Sequence, residues 1–218
     1  NNLVIETFLI KFNIKNMSNK LELRMYGLVP YNISPIQQAI QFGHAVVEYG
    51  QSIRKSNKTT YLNKYNDWAD NWKTFMILNG GTSNHSVNRY QPNEEFTGTM
   101  ESHLLTLKNM GIPVAEFYEP DLNDMLSAIV FIVDEEVFNK EDYPDFEDWV
   151  ISKYGELISS NPNDHKTMGK SSYQLAKMMR TSEAPGDKKI YQEWVSFVGG
   201  EKNVFLKEFL SPRNFKLA

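Results

Sequence analysis

The chain has 218 residues, 41% of them hydrophobic and 13% aromatic, and a formal net charge of -4 at pH 7. That is enough apolar material for a packed core, and it excludes both a disordered chain and a strongly basic nucleic-acid coat. There is no cysteine, so disulfide frameworks, thiol nucleophiles, zinc–cysteine sites and iron–sulfur clusters are excluded as well.

The apolar run Leu3 to Phe12 is too short to span a bilayer and carries Glu6 and Lys11. It also lacks the basic start and small-residue cleavage site of a signal peptide. Met17-Ser18-Asn19-Lys20 reads as a translation start, so residues 1–16 are expected to be an upstream addition. No later segment approaches a membrane span, and a cytoplasmic location is expected. Leu21, Leu23, Met25 and Gly27 alternate with Glu22, Arg24 and Tyr26, which predicts a strand to about Val29. Ser34 is placed as a helix cap, with Pro35 at the first position and Gln37 three residues on. The helix continues through Ile36, Ile40, Phe42, Val46 and Val47, and Gly50 is expected to end it. Residues 51–71 are polar and read as a helix end or an insertion.

Lys73 to Leu78 reads as a buried second strand, and Asn79-Gly80-Gly81-Thr82-Ser83-Asn84 as a turn cluster. A helix over 100–109 ends at Gly111. Strands follow at Val114 to Glu119 and at Ser127 to Val133, the last almost continuously apolar and hence buried on both faces. The order β-α-β-α-β-β predicts an α/β fold, a small mixed four-stranded sheet with helices on both faces. The expected division is residues 1–16, a core at 17–136, and a mainly helical extension at 137–218. In the extension, Phe146, Trp149, Val150 and Tyr154 recur at helical spacing, as do Tyr173, Leu175, Met178 and Met179. Asp134 to Glu156 holds nine acidic residues against Lys140 and Lys153, while residues 162–218 carry ten Lys/Arg against six Asp/Glu.

The common nucleotide, metal and nucleophile-elbow motifs are absent, and none of His44, His85, His103 and His165 stands at metal-ligand spacing with another. No metal and no cofactor are expected. Three features can carry chemistry. Gln37, Gln41 and His44 share one face of the first helix, flanked by Gly43 and Ala45. Glu119-Pro120-Asp121 puts two carboxylates at a strand end, where ligands collect in α/β sheets and a carboxylate can orient water. The Gly80-Gly81-Thr82-Ser83 turn can offer backbone N–H groups to a phosphate.

Gln38-Ala39-Ile40-Gln41-Phe42-Gly43-His44-Ala45 resembles the first helix of the archaeal and eukaryotic type of peptidyl-tRNA hydrolase, which reads Ala-Gln-x-x-His-Ala there. Gly111-Ile112-Pro113 resembles that family's Gly-Leu-Pro, and Leu126-Ser127-Ala128-Ile129-Val130 its last core strand. The wording of SPIQQAIQFGHAVVEYG and FYEPDLNDMLSAIVF looks closest to divergent members found in tailed bacteriophages. The resemblance covers residues 21–133, about half of the chain. It implies metal-free cleavage of the ester between a peptide and the terminal ribose of tRNA.

Carried over residue by residue, the resemblance puts the family's aspartate on Glu119 or, by a small shift, on Asp121, and its late threonine on Ser127. The family's lysine, four residues before the motif's glutamine, falls on neutral Gln37. Losing one good donor to a developing oxyanion raises such a barrier by on the order of 2.7–4 kcal/mol. The implied catalytic set is therefore Glu119, Asp121, Gln37 and Ser127. Gln41, His44 and Thr82 would contact the acceptor end of tRNA, and Lys73, Arg54 or a tail lysine could compensate for the missing cation; read from the residues alone, Lys202, Lys207, Arg213 and Lys216 form a candidate RNA-gripping arm. The alternative is a non-catalytic module on the same fold that sequesters tRNA, a nucleotide or a host protein. A virion or complex component is a third reading, motivated by the extension. No heptad pattern marks a homodimer, although oligomers are common for such folds.

Overall fold

The computed structural model describes residues 20–83, 98–155 and 167–218. The expected segment 1–16, with its apolar run, lies outside the described residues, as do His85, His165 and the polar loop before the second predicted helix.

β1 (Leu23–Pro30) leads into α1 (Pro35–Lys55), then α2 (Thr59–Asp67) and a π-helical turn at Trp68–Trp72. β2 (Thr74–Gly81), α3 (Thr99–Asn109), β3 (Ala115–Glu119), a 3-10 turn at Pro120–Leu122 and β4 (Met125–Asp134) follow. The remaining helices are α4 (Glu135–Phe138), α5 (Phe146–Tyr154), α6 (Ser172–Arg180), α7 (Pro185–Phe197) and α8 (Glu201–Phe209). The four strands form one mixed sheet in the order β2-β1-β4-β3. β1 runs parallel to β2 and antiparallel to β4, and β3 is antiparallel to β4. The expected α/β sheet with helices on both faces and a helical C-terminal part is the fold observed.

Two details depart from the sequence expectation. α1 does not stop at Gly50 but runs on to Lys55. Gly50 serves instead as a point of close approach, since a Cβ there would lie 2.5 Å from the Tyr65 hydroxyl of α2. The polar stretch after it folds as α2, which packs Tyr61, Leu62 and Tyr65 against the sheet's first core while turning its charges outward. The start of α1 is as expected: Ser34 and Gln37 close a reciprocal capping box, with Pro35 in the first turn.

β4 is central and buried on both faces, so its side chains divide between two cores. Ala128, Val130 and Ile132 pack with Phe42, Ala45, Tyr49 and Ile53 of α1. Ile129, Phe131 and Val133 pack with Met100, Leu104 and Leu107 of α3. Burying each large aliphatic contributes roughly 1.5–3 kcal/mol. The second core is completed by the C-terminal part, through Val137 of α4, Leu206 of α8 and Phe215 of the tail. Val204 of α8 faces instead a third cluster around Phe146, Trp149, Leu175 and Trp194. α8 thus joins the helical extension to the sheet.

The strand alternation breaks once. Phe117 pairs with Ala128 and Tyr118 with Leu126, leaving Ser127 as an extra residue, a β-bulge. Leu126 lies in the α3-side core. Ser127, which strict alternation from Ala128 would also turn to that side, reaches Gln41 of α1 instead.

Candidate functional site

The directions of the strands gather four ends on one edge of the sheet. Pro30 and Gly81 end the parallel pair, Glu119 ends β3, and Met125 begins β4. On the α1 side of this edge, three of the expected residues meet. Gln41, 4% exposed, donates from Nε2 to Glu119 Oε2 at 2.5 Å. The Ser127 hydroxyl, fully buried, lies 3.1 Å from Gln41 Oε1 and 3.1 Å from the Phe117 carbonyl, both acceptors for its single proton. The carboxylate requires a donor facing it, which sets the Gln41 amide with its NH₂ toward Glu119 and its oxygen toward Ser127. The result is a directed chain from Ser127 through Gln41 to Glu119.

Glu119 is also the cap of the 3-10 turn, and its Oε1 accepts the Asp121 backbone N–H at 3.3 Å. Each carboxylate oxygen therefore has a donor. His44 Nδ1 stands 4.0 Å from Glu119 Oε2, and its side chain is 48% exposed. Its ring lies on that of Phe117, with centroids 4.6 Å apart. Phe117 was not anticipated from the sequence. It packs at a tilt against the His44 ring and supplies the carbonyl that accepts from Ser127, and only the register of β3 could have shown it.

The other expected residues go elsewhere. Asp121 is exposed on the turn, and only its backbone reaches Glu119. The Gln37 side chain is taken up by the capping box, where Oε1 accepts the Ser34 backbone N–H at 3.1 Å. Thr82 N–H donates to Thr99 Oγ1 at 2.8 Å, and Gly81 N–H to Asn79 Oδ1 at 2.8 Å. Those two N–H groups of the glycine turn are thus bonded internally and are not offered to a phosphate.

Three expected cations are corrected by the geometry. Lys73 precedes β2, one strand length from the Glu119 edge (about 23 Å), and donates to the Asp70 carbonyl at 3.1 Å. Lys202 lies at that same far edge, where β3 begins and β4 ends, with Nζ 2.5 Å from the Gly111 carbonyl. Neither can supply the charge missing at Gln37. Lys207 is buried, with Nζ 2.7 Å from the Tyr143 carbonyl, 3.4 Å from that of Val137 and 3.8 Å from Asp145. Burial pushes its pKa below the usual lysine value. It clamps α8 to the α4–α5 connection and cannot grip RNA.

The charge asymmetry of the sequence is partly neutralised within the fold. Arg180 reaches Glu147 at 3.8 Å and Lys207 reaches Asp145 at 3.8 Å, each pairing the acidic stretch with the helices after it. Among the described residues, no cluster of three or more His, Asp or Glu side chains could hold a metal ion, and no helix is long and apolar enough to cross a membrane. No family model, curated protein or solved structure matches the chain.

Proposed function

We propose that the chain hydrolyses the ester of peptidyl-tRNA or aminoacyl-tRNA, using Glu119 and His44 at the sheet edge. The observation that carries this reading is the meeting of Gln41, Glu119 and Ser127 beside a half-exposed histidine, at positions the family resemblance designates. The reading requires the 4.0 Å gap from His44 to Glu119 to close to hydrogen-bond length when substrate binds. Nδ1–H would then face the carboxylate, leaving Nε2 as the base toward solvent. A water oxygen attacks the ester carbonyl carbon while its proton passes to Nε2. The bond from that carbon to the ribose oxygen then breaks, and the proton on Nε2 passes to the ribose oxygen. Glu119 stabilises the imidazolium formed on the way, and the Ser127–Gln41 chain holds Glu119 in place.

The test is release of peptide from purified peptidyl-tRNA in metal-free buffer. His44→Ala should lower the rate by about 10²-fold or more, and Glu119→Gln by a comparable factor. No turnover by the unaltered protein between pH 6 and 8.5 would remove the enzyme reading. A second reading, a non-catalytic module that binds the same RNA end, is favoured by one observation. Gln37 replaces a cation and its oxygen is already bound in the helix cap. Saturable tRNA binding without product would support it.

A further inference from the structure

A concavity opens on the same sheet edge, beyond the ends of β1 and β2 and on the α3 side, with a volume of about 340 Å³. β2 and β3 are the two outer strands, three strand spacings apart (about 14 Å), so this concavity and the Glu119 cluster lie toward opposite ends of the edge and on opposite faces of the sheet. Its walls carry Arg213, Lys216, His103 and Tyr31 around the floor formed by Gly80 and Gly81, and among the described residues no acidic side chain lines it.

The two cations are held there by the pairing of residues 216–218 with β2. The C-terminal residues dock antiparallel on β2, with Leu217 bridged to Leu78. Asn79 N–H donates to the Lys216 carbonyl at 2.9 Å, and Ala218 N–H to that of Ile77 at 3.1 Å. Phe215, between the cations, is buried in the α3-side core against His103, ring centroids 4.9 Å apart. Arg213 and Lys216 are thus fixed by an anchored backbone while both side chains stay exposed, and neither makes an ion pair among the described residues. Burial holds the His103 pKa below its usual value, so at neutral pH it adds a hydrogen-bonding group and not a third charge. Tyr31, 59% exposed, presents an aromatic ring beside the two cations.

We propose that this concavity binds one nucleotide unit, with the phosphate on Arg213 and Lys216 and the base stacked on Tyr31. Two cations lining one concavity suit a phosphate, the guanidinium taking two of its oxygens, and an exposed aromatic ring accepts any base. The volume falls within the range of small-ligand sites. The inference deepens the RNA reading above. It does not use Glu119, so its test reads binding and stands apart from the outcome of the hydrolysis assay.

The experiment titrates the full chain with adenosine, with AMP and with a six-nucleotide single-stranded RNA, following heat or amide chemical shifts. AMP should bind about tenfold or more tighter than adenosine. The double variant Arg213→Gln/Lys216→Gln should abolish that difference, and Tyr31→Ala should weaken adenosine and AMP alike. The double variant should also flatten the logarithmic salt dependence of RNA binding by about 1.4. Both cations are exposed, so the variant should keep the unaltered circular dichroism spectrum. Tighter binding of the RNA than of AMP assigns the site to an RNA chain, and equal affinity assigns it to free nucleotides. Adenosine binding as tightly as AMP, an unaltered affinity in the double variant, or no binding of AMP or RNA at millimolar concentration would overturn the proposal.

Discussion

Gln41→Glu is a direct test of the site's geometry, because it replaces an N–H donor by a second carboxylate while keeping the size of the side chain. The replaced nitrogen lies 2.5 Å from Glu119 Oε2 in a place where Gln41 is 4% exposed. Two carboxylates that close cannot both ionise, so one keeps its proton and donates it to the other. A shift of two units in that shared titration corresponds to about 2.7 kcal/mol. The folded-state value is raised above the unfolded glutamate value of about 4.3, so the variant should match the unaltered protein below that pH. Its stability should then fall progressively as pH rises to about 6.5 and stay about 2.7 kcal/mol lower beyond it. Urea denaturation at pH 4 and at pH 7.5, on both proteins, reads the difference directly. Parallel pH profiles for the two would refute the assignment of Gln41 as the donor to Glu119.

Other substitutions probe the rest of the framework. Lys207→Met keeps the packed stem but leaves the Tyr143 carbonyl without its ammonium donor, and urea unfolding should show a loss of about 1–3 kcal/mol. Lys207→Ala should cost more through the added cavity, and Lys207→Met should leave the salt dependence of RNA binding unchanged. Since burial lowers the lysine's folded pKa, the unfolded chain holds that proton more tightly. The advantage of the unaltered protein over Lys207→Met should therefore grow as pH rises toward 10.5, the unfolded value. Gly81→Ala should destabilise by about 1–3 kcal/mol, because φ is +89° and the new Cβ would overlap Thr99 Oγ1. Phe215→Ala should lose about 3–5 kcal/mol by thermal or urea unfolding, and the tail amides of 216–218 should lose protection from hydrogen exchange.

Local signals carried much of the fold. The Ser34–Gln37 box, the period-two pattern of β1 and the apolar run of β4 each act over a few residues, and each element forms where those patterns put it. Gly50 was misleading because a glycine that ends a helix and a glycine that admits a neighbouring tyrosine look alike in sequence. At the site, the shared helical face of Gln41 and His44 was legible from their spacing of three. Their meeting with Glu119 and Ser127 was suggested by the family resemblance but depends on a bulge that no local pattern marks. The lysines failed for a different reason. Their charge is visible in sequence, but which carbonyl or acid receives it depends on how the extension folds back, and Lys207 ends in the interior where an exposed cation was expected.

The bulge and the docked tail explain why two sites can share one sheet edge. Without the extra residue, Ser127 would follow Ile129 and Phe131 into the α3-side core, and Gln41 would face Glu119 with no partner on its oxygen. The bulge converts one core position into the first link of a polar chain, at the point where β4 begins and β3 has just ended. At the other end of the same edge, β2 would be an open strand if the chain stopped at α8. The tail covers it, and in doing so sets Arg213 and Lys216 on either side of a buried Phe215. The carboxylate chain is built from the sheet and α1, while the cations come from the extension. The two are roughly 14 Å apart along the edge and lie on opposite faces of the sheet, so a ligand that engages both must cross the edge, which a chain of several nucleotides can do and a mononucleotide cannot. That geometry favours an RNA end lying across the edge over a free mononucleotide. It also predicts that a four-nucleotide RNA protects amides of both β2 and β3 from exchange, whereas AMP protects those of β2 alone.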